Sequence, residues 1–81
     1  MISVQNPVRK DSKISFVLPY ENEVLIKIYD TKGSLLKTLL NQRLNAGQHQ
    51  IGLNMNLVPG IYFLNIEIGK QRLAKKLIVV K

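Results

Sequence analysis

The chain has 81 residues, is 46% hydrophobic, contains no cysteine and carries a formal net charge of +7. That length holds one domain near the lower limit for an unstapled core, its apolar content excludes disorder, and the lack of cysteine excludes disulfides, thiol catalysis and thiolate metal sites. No apolar run approaches the roughly 20 residues of a membrane-spanning helix, and Ile2 to Val4 follow Met1 without a basic segment, so any export signal is expected in a longer precursor.

In chain order the dominant signal is alternation with a period of two, broken every 8 to 12 residues or so by turn chemistry, which predicts an all-β, immunoglobulin-like antiparallel sandwich of about seven strands. Ile2 to Val4 form a short first strand, closed by Asn6-Pro7 because proline removes a ladder donor. Ile14, Phe16 and Leu18 line one face of a second strand, and Val24, Ile26 and Ile28 one face of a third. Asp30-Thr31-Lys32-Gly33 suits a type I turn with glycine in the left-handed bulge position. A hairpin to Ser34–Leu40 follows. That segment is apolar on both faces and reads as a strand of uncertain register, with a short helix as the alternative. Asn45-Ala46-Gly47 is a looser turn before a strand at Gln48–Asn54. Val58-Pro59-Gly60 suits a type II turn, and Ile61–Ile68 then places Tyr62, Leu64, Ile66 and Ile68 on one face. Gly69-Lys70 suits a two-residue hairpin loop into the last strand, Gln71 to Val80.

Charge is unevenly spread. Residues 1–30 balance Arg9, Lys10, Lys13 and Lys27 against Asp11, Glu21, Glu23 and Asp30, whereas residues 70–81 carry Lys70, Arg72, Lys75, Lys76 and Lys81 with no acid. A local positive field at the C-terminal end fits either an acidic partner or an edge strand protected by lysines. Catalytic chemistry is sparse. His49 is the sole histidine and has no metal-ligand spacing around it, and Glu21 and Glu23 flank one loop rather than a cleft. No hydrolase, zinc-protease or nucleotide-binding fingerprint occurs. The reading is therefore no enzyme, no cofactor, no metal and no small-molecule substrate. A single-strand nucleic-acid binder needs aromatics among its basic groups, yet Phe16, Tyr20, Tyr29, Tyr62 and Phe63 all lie outside residues 70–81. Nucleic acid is excluded as a partner on that ground.

The series Asn6-Pro7-Val8, Ile14-Ser15-Phe16, Val24 to Asp30 with Gly33, Leu44-Asn45-Ala46-Gly47, Pro59-Gly60-Ile61-Tyr62-Phe63 and Lys75-Lys76-Leu77-Ile78-Val79-Val80-Lys81 closely resembles the type A C-terminal sorting domain of the type IX (Por) secretion system. The resemblance spans essentially the whole chain. It implies a secretion signal that directs a cargo protein from the periplasm through the outer-membrane translocon to the cell surface or medium. The implied partners are the translocon, its shuttle proteins and a sortase-like surface peptidase. It also implies that residues 1–81 are a single sorting domain whose cargo precedes it, with the cleavage region upstream of the first strand. Recognition would fall on Lys75, Lys76, Leu77, Ile78, Val79, Val80 and Lys81, with Gly60, Tyr62, Asp30 and Gly33 as motif positions.

The residues themselves permit two accounts of the last strand. Leu77 to Val80 is apolar on both faces, so it is either core or an edge that a receptor reads by strand addition, with the flanking lysines and terminal carboxylate setting register. Gly60 and Tyr62 are also explained by a turn and by core packing. The alternative function is a structural or adhesive immunoglobulin-like module of a surface protein. Exposed edges would also let the isolated domain dimerise.

Overall fold

The computed structural model describes residues 2–4, 12–53 and 57–80. They form seven strands: β1 (Ile2–Val4), β2 (Lys13–Leu18), β3 (Asn22–Tyr29), β4 (Leu35–Leu44), β5 (Gly47–Gly52), β6 (Gly60–Ile68) and β7 (Gln71–Val79). Two antiparallel sheets result, one ordered β1-β2-β5 and the other β4-β3-β6-β7. The arrangement is the expected immunoglobulin-like sandwich, with the fourth strand paired to the third.

The alternation expected from the sequence is what divides inside from outside. Ile14, Phe16 and Leu18 of β2 face Val24, Ile26 and Ile28 of β3, Tyr62, Leu64 and Ile66 of β6, and Leu77 of β7 across one apolar core. Burying each large aliphatic side chain contributes about 1.5–3 kcal/mol, so this shared layer is the main force joining the sheets.

β4 shows why its register was ambiguous. The ladder to β3 slips twice, pairing Ile26 with Leu40 but Lys27 with Thr38, and Ile28 with Lys37 but Tyr29 with Leu35. Each slip is a bulge that leaves one residue of β4 unpaired, Leu39 and then Leu36, so strict alternation cannot hold. Leu39 and Leu40 both pack against the core while Leu35 and Leu36 are exposed. The helix alternative is excluded, since β4 is a strand throughout and runs on to Leu44.

The turns hold the hairpins. The Asp30 N–H donates to the Ser34 carbonyl and the Gly33 N–H to the Asp30 carbonyl, both at 3.1 Å. Gly33 has φ +85, so the type I turn with a glycine bulge is present as expected. Asp30 Oδ1 also accepts the N–H groups of Lys32 and Ser34, each at 2.9 Å. In the β6–β7 loop Gly69 has φ +58 and Ile68 pairs with Gln71, while Lys70 is not in the left-handed region, which is the type II′ pattern. At Gly60 the expectation fails. Its φ of +158 is far from the value near +80 that a type II turn needs. The β6–β7 ladder already begins at Gly60, opposite Val79, so the residue is the extended start of a strand. The fifth strand ends at Gly52 rather than Asn54. Beyond it Leu53 is buried, and its N–H donates to the Ser12 carbonyl at 2.8 Å. Asn6-Pro7, Asn54 and Lys81 lie outside the described residues.

Two stability outcomes follow. Asp30→Ala removes an acceptor for two backbone N–H groups and is expected to lower unfolding free energy by about 1–2 kcal/mol in a denaturant titration, with Asp30→Asn retaining most of it. Gly69→Ala forces a side chain onto a positive φ, at a cost of at least about 1 kcal/mol. It also sets a Cβ 2.8 Å from Asn22 Nδ2, while Asn22 Oδ1 is held by the Glu23 N–H at 2.8 Å. The same substitution in an Asn22→Ala background is therefore expected to cost less, as a double-mutant cycle will read.

Candidate functional site

β7 is an edge strand, and its register against β6 assigns each residue of the C-terminal segment a direction. Lys75 pairs with Leu64 and Leu77 with Tyr62, so both point to the inner side; Lys76 pairs with Phe63 and Ile78 with Ile61, so both point outward. Leu77 is fully buried and Ile78 is exposed. The doubly apolar run is thus part core and part surface on an edge strand. Val79 and Val80 are half-buried, with Val79 packed against the core rim.

Lys75 points inward from an edge yet remains exposed, as does Lys37 of β4, opposite Ile28 at the other edge. Inward-pointing lysines on edge strands oppose pairing with another chain. Lys76 and Ile78 already take part in interactions within the molecule. A strand added along β7 would meet the inward Lys75.

The motif positions converge on one end of the four-stranded sheet. Tyr62 is buried and its hydroxyl donates to the Val58 carbonyl at 2.7 Å. Gly60 starts β6, and Asp30 with Gly33 forms the β3–β4 turn. The candidate residues outside the motif have neighbours within the fold. His49 stacks on Phe16 with ring centroids 5.4 Å apart, and its Nε2 donates to the Asn45 carbonyl at 2.7 Å. Glu21 pairs with Arg43 at 3.4 Å. Among the described residues no group of three or more histidine, cysteine or carboxylate side chains could hold a metal.

A groove of about 420 Å³ opens at the opposite end, between the end of β2 and the β6–β7 loop. Val17, Tyr20, Leu73 and Lys70 are among its lining. Lys70 is the one charged residue of that lining, beside the amides of Asn22 and Gln71.

The sequence reading missed a surface. Tyr29 pairs with both Leu35 and Phe63, and Phe63 pairs with Lys76, so four strands contribute one outer row. Ile61 and Ile78 sit beside it as a cross-strand pair. Pairing sets Phe63 beside Lys76, two residues that linear spacing kept apart. The two-residue loop carried the necessary signal: it fixes Ile68 opposite Gln71, and hence 63 opposite 76 and 61 opposite 78.

Comparison with known proteins supplies what geometry does not. The sequence model of the family described as "Secretion system C-terminal sorting domain" matches residues 6–80. No curated protein matches the chain significantly. Among solved structures, dimeric latent PorU from Porphyromonas gingivalis is similar over 98% of this chain and 9% of its own, with 21% identity and a TM-score of 0.71. The chain therefore spans a small part of that protein, and the likeness establishes the shared fold. The match over 6–80 shows that the chain belongs to the Por secretion system C-terminal sorting domains, signals of type IX secretion whose cargo is secreted or attached to the cell surface.

Proposed function

We propose that residues 1–81 are one sorting domain that carries a preceding cargo from the periplasm through the outer-membrane type IX translocon, and that the translocon reads the C-terminal segment Lys75 to Lys81. The observation that supports this reading is the division of labour along β7. Leu77 anchors the strand in the core, while Lys76 and Ile78 present a cation and an apolar side chain on the outer face. A signal read after export from the inner membrane has to be folded and displayed at once, and a strand with one buried and one exposed set of residues does both. Recognition then runs through outward side chains rather than through strand addition. Asp30, Gly33, Gly60 and Tyr62 serve the signal indirectly, by holding the end of the sheet where β7 finishes. Shuttle proteins and a surface peptidase that removes the domain complete the proposed partners. The domain itself is a signal and not a catalyst, whatever activity the cargo has.

The reading is tested by fusing the chain to a reporter with a periplasmic signal in a host that has the secretion system. Surface display is the expected result, and retention in the periplasm would contradict it; a structural or adhesive module would be retained. Two variants then separate address from fold. Leu77→Ala is expected to cost about 2–5 kcal/mol and to lose export through unfolding. Deleting Val80 and Lys81 is expected to abolish export while the melting temperature falls only a few degrees. If export declines only in step with melting, the segment is structure and not address.

A further inference from the structure

The outer face of the four-stranded sheet is divided into two unlike halves. Toward the β6–β7 loop its rows are mostly polar, with one apolar residue each: Thr38, Lys27, Asn65 and Ala74, then Asn41, Leu25, Glu67 and Arg72. Toward the C-terminal end the next row is Leu35, Tyr29, Phe63 and Lys76, followed by Ile61 and Ile78. Leu35 is 50% exposed, Ile61 44%, Ile78 42% and Phe63 41%. Scattered exposed hydrophobics are ordinary, but these are cross-strand neighbours on one face of a sheet, and contiguous apolar patches mark interaction sites.

Charge identifies the occupant. Lys27 and Lys76 flank the patch, and Lys32 lies in the turn at the same end. Among the described residues three lysines and one carboxylate, Asp30, lie at this end, so the local balance is positive. Glu67 lies in the polar half and pairs with Arg72 at 3.2 Å, and Asp30 accepts backbone N–H groups within its turn. We infer that this apolar half, centred on Phe63 and Tyr29, is a docking surface for an apolar patch on a partner protein rimmed by carboxylates. Aromatic anchors within a charged rim are the pattern of a protein interface, and opposite charge across the rim sets register and speeds encounter. The site extends the recognition segment of β7 onto β6, β3 and β4, and it rests on the sorting reading for its partner.

The test uses the reporter fusion with Ile61→Thr and Phe63→Thr together, residues that keep strand propensity while removing the apolar surface. Thr38→Ser with Asn41→Ser, in the polar half, is the control. The patch variant is expected to keep its melting temperature within a few degrees and to lose surface display by about tenfold or more, the scale of a hot-spot loss. The control is expected to be exported normally. If the double variant is destabilised, Leu35→Thr, in the patch but outside the β7 segment, takes its place with the same expected loss. Normal export of a folded patch variant overturns the inference and leaves the sorting reading standing, whereas retention of the unmodified fusion overturns both. Vesicles of phosphatidylglycerol and phosphatidylcholine that bind the domain but not the patch variant would make the occupant a membrane. A dimer in sedimentation that the same substitutions abolish would make it a second copy. Either result overturns a protein partner.

Discussion

The pairing of β3 with β6 is the constraint from which the rest follows. These two strands occupy the middle of the four-stranded sheet, with Ile26 opposite Ile66 and Ile28 opposite Leu64, all four buried. Because side chains alternate with a period of two, fixing the inner face fixes the outer one as well. A slip of one residue would expose the core and bury Lys27, so the register is strongly determined. The same register that puts Leu64 inside sets Phe63 beside Tyr29 outside. The core thereby writes the surface.

Much of this was legible in the sequence because it was local. Asp30 and Gly33 specify their turn through chemistry that four residues contain, and Gly69-Lys70 specifies both a hairpin and its register. Alternation in β2, β3 and β6 gave the buried face correctly. What escaped depended on contacts between distant segments. Nothing near Leu36 or Leu39 announces that the ladder to β3 skips each of them, since a bulge is decided by how β4 follows a twisted neighbour. At Gly60, Pro59-Gly60 reads as a turn in isolation, and pairing with Val79 draws the glycine into the sheet instead.

The candidate site divides along the same line. Lys75 to Val80 stood out in the sequence as basic and doubly apolar, and the fold resolves them into core, rim and surface positions. Tyr29, Leu35, Ile61 and Phe63 carried no signal of their own, because a patch assembled from four strands exists only once the strands are paired. Edge protection has the same origin. Lys37 and Lys75 are unremarkable lysines until pairing shows each pointing inward from an edge, where it discourages sheet extension.

The central claim is that one core register both folds the domain and displays its address on the C-terminal half of the outer face. Site-specific photo-crosslinking during export tests it most directly, with a crosslinking residue placed at Phe63 or Ile78 in one set of fusions and at Leu25 or Asn41 in another. The account predicts adducts to a secretion-system protein from 63 and 78, with none from 25 or 41. Adducts only from 25 or 41 in an exported fusion, with 63 and 78 silent, would contradict it.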